Sequence, residues 1–133
     1  MKRPSWEHYA LALAQAATVR SEDPYIKVGA CALRHDKSVA GVGYNGAPPD
    51  IEIDWSDRDQ RRKLVIHAEV NCLAYCSPGE CSLIACTLLP CADCIKFIAR
   101  YKIKKVFFRE IYEKDRSALE VAPLFGIELI QLF

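Results

Sequence analysis

Apolar and small residues fall along this chain in short blocks, each closed by charged or turn-forming residues, and the spacing within the blocks changes from one to the next. Ser5 followed by Trp6, Tyr9, Leu13 and Ala17 repeats at helical spacing and predicts a capped amphipathic helix over about 5–20, with those four on its apolar face. "KVGACAL" (27–33) and "SVAGVGY" (38–44) are short, small-residue-rich runs separated by the polar "RHDK", which predicts an antiparallel hairpin. "NGAPPD" (45–50) ends the second strand with turn residues. Residues 50–64 read as charged and irregular, with Trp55 their only large aromatic. A helix over about 67–76, a turn at 79–80 and an apolar strand over 82–88 follow. Pro90 opens a helix over about 91–100. "KKVFF" (104–108), a helix near 115–122 and "GIELIQLF" (126–133) complete the order α, β, β, α, β, α, β, α, β. Strands alternating with helices after a hairpin predict an α/β sheet covered on both faces. The pattern leaves the sense of the last strand open.

Length and composition narrow this further. At 133 residues the chain fits one domain, taken as 1–133, with no repeat, linker or low-complexity segment. A net charge of +1 gives no electrostatic ground for a long nucleic acid as partner. The basic clusters at Arg58, Arg61, Arg62 and Lys63, and at Lys102, Lys104 and Lys105, read as solvated faces. No stretch approaches the roughly 20 apolar residues of a membrane span, and the N-terminus lacks the apolar core of a signal peptide. The seven cysteines then read as reduced thiols or metal ligands in a cytoplasmic protein rather than as a disulfide framework. Cys31, Cys72, Cys76 and Cys86 lie in apolar runs and read as small core residues, and Cys81 as a turn residue. His8 and His35 lack any partner pattern and read as surface residues.

His67 and Glu69 begin the 67–76 helix. By themselves they describe a helix start, with the carboxylate near the positive end of the macrodipole. Cys91 and Cys94 change that, because a spacing of three puts both on one helical face and a helix start favours thiolate, the metal-binding form. One histidine and one cysteine pair make three ligands. Structural zinc sites use four, whereas a catalytic zinc keeps an open position at which bound water becomes acidic near neutral pH. Glu69, beside that position without being a ligand, is placed to move protons. A strand–helix connection between Glu69 and Cys91 brings two helix N-termini to one edge of the sheet, where open α/β sheets bind ligands.

"HAE" (67–69) followed by "PCADC" (90–94) resembles the zinc-dependent nucleoside and nucleotide deaminases. "VGACAL", "GVGYNGAPP", "HAEVNCL" and "TLLPCADC" fall in the order seen in the deoxycytidylate (dCMP) deaminases, and together they cover roughly residues 20–110. The resemblance implies a three-layer α-β-α fold with a five-stranded mixed sheet and one zinc ion per chain, held by His67, Cys91 and Cys94. It implies hydrolytic deamination of dCMP to dUMP and ammonia, with Glu69 shuttling protons. Asn45 would then bind the deoxyribose, the Ala68 backbone the pyrimidine, and Arg20 and Lys27 the phosphate, with Arg109 as a further cation. It also implies a homo-oligomer, a hexamer before a dimer or tetramer, with dCTP and dTTP as effectors in many relatives. Tyr112 stands beyond Phe107 and Phe108 where many relatives close the fourth strand with a tyrosine, and Pro49-Asp50 stands where many have Gly-Cys. The alternatives are a related deaminase acting on cytidine, dCTP, guanine or tRNA adenosine, a non-catalytic zinc module, and a redox pair at Cys91 and Cys94. The last two leave Glu69 without a use.

Overall fold

In the computed structural model, which describes residues 2–133, five strands form one mixed sheet. They are β1 (Gly29–Arg34), β2 (Val39–Tyr44), β3 (Cys81–Leu88), β4 (Lys105–Glu110) and β5 (Glu128–Gln131), in spatial order β2-β1-β3-β4-β5. β1 and β2 form the expected antiparallel hairpin, and β1 also pairs antiparallel with β3. β3, β4 and β5 run parallel, which answers the question the last strand left open. β1 and β3 are buried on both faces, and this is why their sequences read as unbroken small and apolar runs without alternation.

Helix α1 (Trp6–Ala17) covers one face of the sheet, where Ala10, Leu11 and Ala14 pack with Cys31, Leu33, Leu83, Ala85 and Phe107. Helices α3 (Ala68–Leu73), α4 (Ala92–Arg100) and α5 (Ala118–Val121) cover the other, with Cys72, Ile84, Ile95, Ile98, Val106 and Phe108 at the centre of that layer. Alternate residues of β4 therefore serve opposite layers, Phe107 toward α1 and Val106 and Phe108 toward α3 and α4. The three-layer α-β-α fold and its five-stranded mixed sheet are those expected. No helix among the described residues is long and apolar enough to cross a membrane.

The structure corrects several details. Ser5 caps α1 by accepting from the His8 amide, but the buried face of the helix is Ala10, Leu11 and Ala14. Trp6 and Tyr9 are 50% and 42% exposed. The cause lies beneath them: a Cβ added at Gly29 would sit 1.8 Å from the Ala14 carbonyl oxygen. At that point the helix rides so close to β1 that no side chain fits between, and Trp6 and Tyr9 lie on the exposed side of the helix.

Residues 50–64 are not wholly irregular, since α2 (Arg58–Leu64) forms there, capped by Asp57 accepting from the Asp59 and Gln60 amides. It buries no residue, so no apolar period announced it. Cys81 is not a turn residue but the buried first residue of β3, and Cys76 is half-buried at the rim rather than in the core. The helix near 115–122 is one turn of α-helix continued by a 3-10 turn, Ala122–Phe125.

β2 approaches α3 as closely as β1 approaches α1. A Cβ at Gly43 would lie 2.4 Å from the Cys72 amide nitrogen and 2.7 Å from the Ala68 carbonyl oxygen. Gly43→Ala is therefore expected to cost about 1–3 kcal/mol as backbone is forced apart, read as a lower urea midpoint at unchanged slope. Gly46→Ala, whose Cβ would meet only Tyr44 Cε2 at 3.9 Å, is the matched control and is expected to shift stability by less than about 0.5 kcal/mol.

Candidate active site

His67 and Cys91 occupy the N-cap positions of α3 and α4, yet neither side chain caps its own helix. Both are turned toward each other instead. The entry to α3 is fixed by a two-bond bridge, Gly46 N to Ile66 O at 3.1 Å and Ile66 N to Gly46 O at 2.8 Å. Asn71 adds a bond from its side-chain amide to the Tyr44 carbonyl at 2.8 Å. These contacts lock the residue before His67 to the end of β2. On the other side the chain leaves β3 through Leu89, whose amide donates to Glu110 O at 2.8 Å, and through buried Pro90 into the start of α4.

His67 Nδ1 lies 3.3 Å from Cys94 Sγ and 3.5 Å from Cys91 Sγ, and the three ligand atoms sit within 4.8 Å of one another. A tetrahedral zinc with its usual Zn–N and Zn–S lengths holds nitrogen and sulfur roughly 3.5 Å apart, so the donor set fits the ion in both kind and spacing. Cys91 is already disposed to be a thiolate. Hydrogen bonding from the Cys94 thiol, then from His67, pulls it down to about 4, while the same bond to Cys91 pushes Cys94 up. The hydrogen bond to Cys91 also raises His67.

These side chains open into a cavity of about 250 Å³ that Asn45, Val65, His67, Ala68, Glu69 and Cys91 help to line. Glu69 is 4% exposed. Burial lifts its carboxyl above the usual range, against the pull of the Cys94 thiol and the His67 ring. A buried carboxylate and two of the three ligands, His67 and Cys91, line one chamber, with Cys94 buried behind them.

Residues 4–110 match the cytidine and deoxycytidylate deaminase zinc-binding region. The chain belongs to that deaminase family. It is 36% identical over 129 residues to the deoxycytidylate deaminase of Mycobacterium phage D29, covering 81% of this chain and 97% of that one. It is 33% identical over 130 residues to the human deoxycytidylate deaminase, covering 90% of this chain and 72% of that one. Among solved structures, the dCMP deaminase of cyanophage S-TIM5 in complex with dCMP and dUMP superposes with a TM-score of 0.83 at 27% identity, over 99% of this chain and 100% of that one.

Within this deaminase frame, the structure brings together His67, Ala68, Glu69, Cys91 and Asn45 at the cavity, with Cys94 completing the ligand set. The three basic residues stand elsewhere. Arg20 lines a second cavity, with Tyr44, Gly46 and Trp55, on the other side of the Asn45–Gly46 turn. Lys27 points its ammonium at the Ser21 carbonyl at 2.6 Å. Arg109 lies at an odd position of β4 and donates to Gln15 of α1, which faces it away from α3 and α4. His8 and His35 are exposed, as expected.

Sequence reasoning missed the acidic side of the chamber. Asp23, Tyr112 and Asp115 line it. Asp23 Oδ1 accepts from the Tyr25 and Ile26 amides and Oδ2 from the Asn45 side chain, so the residue reads locally as turn chemistry. Asp115 is likewise tied to Ser117, two residues on. Only the fold brings these residues to the cavity wall.

Cys91→Ala is expected to lower bound zinc by one equivalent per chain, measured by plasma mass spectrometry on desalted protein. Undiminished metal in that variant would remove Cys91 from the ligand set.

Proposed function

We propose that residues 1–133 act as one deaminase domain that converts dCMP to dUMP and ammonia in the cytoplasm. The observation that carries this is the buried Glu69 carboxylate in the same cavity as a three-ligand donor set. Deoxycytidylate as substrate is supported by the phage and human relatives and by the likeness to the cyanophage enzyme.

Zinc, when bound by His67, Cys91 and Cys94, supplies an acidified water as the nucleophile for C4 of cytosine. Glu69 accepts the proton of that water, donates it to N3 as C4 becomes tetrahedral, and delivers a second proton to the departing amine. Water is consumed and ammonia released, so the carboxylate ends as it began. Burial serves this role by keeping bulk water from competing for the proton. Ala68, buried at the start of α3 and part of the cavity wall, is assigned to meet the flat base through its backbone.

Asn45 is assigned to the deoxyribose and Lys27 and Arg20 to the phosphate. The loop carrying Lys27 supplies Ile26 and Val28 to the cavity wall, so its ammonium, now on the Ser21 carbonyl, is carried by a segment that borders the site. Arg109, turned to α1, is left out of this set. Self-association is supported by the exposed Trp6 and Tyr9 on α1, and a hexamer is the assembly proposed. dCTP and dTTP are its proposed effectors.

Zinc-loaded protein is expected to turn over dCMP faster than dCTP, deoxycytidine or cytidine, followed as ammonia release. No turnover on any cytosine compound overturns the assignment. Glu69→Gln is expected to keep its zinc and lose about 10²–10⁴-fold in kcat. If that variant matched the wild type, the carboxylate would have no part in proton transfer. Light scattering is expected to give about six times the 15.0 kDa chain mass, and a monomer at micromolar concentration would refute the assembly.

A further inference from the structure

One other group among the described residues meets the spacing that brings His67, Cys91 and Cys94 together. Cys76 Sγ, Cys81 Sγ and a carboxylate oxygen of Glu80 also lie within 4.8 Å of one another. Cys76 follows the end of α3, and Cys81 is the first residue of β3. The group therefore sits at the opposite end of β3 from Cys91. All seven cysteines are free thiols, so no disulfide competes for these sulfurs.

The local chain is already shaped around the three donors. Ser77–Glu80 is a tight turn closed by Glu80 N to Ser77 O at 3.0 Å, with Gly79 at φ +85 and its amide bonded to Tyr101 O at 2.9 Å. Glu80 is held from two sides, Oε1 accepting from the Ser77 amide at 2.9 Å and Oε2 from Arg34 Nε at 2.9 Å. Each carboxylate oxygen keeps a second lone pair free. The Cys72 thiol donates to the Gly41 carbonyl (3.3 Å) and is not one of the three donors.

We propose that Cys76, Cys81 and Glu80 form a second metal site, for a thiophilic divalent cation of the zinc class, which fastens the end of α3 to the start of β3. Two sulfurs and one oxygen, with water at the fourth position on the half-exposed side, suit a borderline-soft ion that accepts tetrahedral geometry, whereas calcium and magnesium require oxygen ligands throughout. The charges also close. Two thiolates and one carboxylate balance a dication plus the Arg34 guanidinium, so the filled site is neutral. Cys76 and Glu80 are only half-buried, which leaves a route for the ion, while Cys81 anchors the site from inside.

The position gives the site its use. α3 carries His67 and Glu69 at its first turn, and β3 leads to Cys91 at its last residues. An ion at Cys76 and Cys81 joins these same two elements at their far ends.

The test is a metal count on the full-length chain. Metal-free protein is titrated with cadmium, a thiophilic surrogate whose thiolate complexes absorb in the ultraviolet, in a thiol-free reductant. The wild type is expected to retain two equivalents per chain after desalting. Cys91→Ala is expected to retain one, with thiolate–cadmium absorbance still present. Cys76→Ser is expected to retain one and, loaded with zinc, to turn over its nucleotide at the wild-type rate. Glu80→Gln, which keeps the shape of the turn, is expected to bind the second equivalent at least tenfold more weakly. A wild type that saturates at one equivalent overturns the proposal, whatever the variants do. So does a Cys91→Ala protein that holds none, or a Cys76→Ser protein that still holds two.

Discussion

Everything at the site depends on two helix starts being held within reach of one another beyond the carboxyl end of β3. His67 and Cys91 are 24 residues apart, and each stands at the half-turn where strand or loop becomes helix. Parallel pairing of β3 with β4 sends the chain back through α4 across the same face that α3 already covers, and the ligand site forms where those returns begin. Neither side chain is engaged in capping, so both are free for each other. The Gly46–Ile66 bridge makes the meeting definite, because it ties the entry of α3 to the turn that follows β2, a strand paired along its length with β1.

That definiteness rests on how thin the layers are. Gly29 under α1 and Gly43 under α3 let helix backbone descend almost onto strand backbone. The closeness shapes composition: alanine and cysteine stand among the leucines and isoleucines of both layers, and Trp6 and Tyr9 of α1 are left exposed. A packed interior resists volume change. His67 and Glu69 are therefore carried on a helix with little freedom to shift.

The chemistry of the site was legible because it is local in sequence: "HAE" and "PCADC" each place their residues within one turn. The hairpin and the alternation of strand and helix were legible for the same reason. What escaped was relational. The buried face of α1 was misread because Trp6 and Tyr9 carry the strongest apolar signal, and no single helix records how near its sheet lies. α2 escaped because it buries nothing, leaving only Asp57 as a cue. Asp23 and Asp115 escaped because a carboxylate that closes its own turn looks the same whether it faces solvent or a cavity. Arg109 was read as a cation just past the fourth strand, but it lies within β4, where strand parity turns it toward α1.

Asn45 has a consequence for ligand entry. Its Oδ1 accepts from the Val28 amide and the Ser21 hydroxyl, and its Nδ2 donates to Asp23 and to the Ile26 carbonyl. No hydrogen-bonding capacity remains unused. A sugar hydroxyl bound at this amide, as proposed above, would not add a bond but take one from the 21–28 loop, and the difference between two such bonds is on the order of 1 kcal/mol or less. On that proposal, admission of the ligand and loosening of the 21–28 loop would be one equilibrium, and discrimination at this point would fall to the shape of the loop rather than to the strength of the contact.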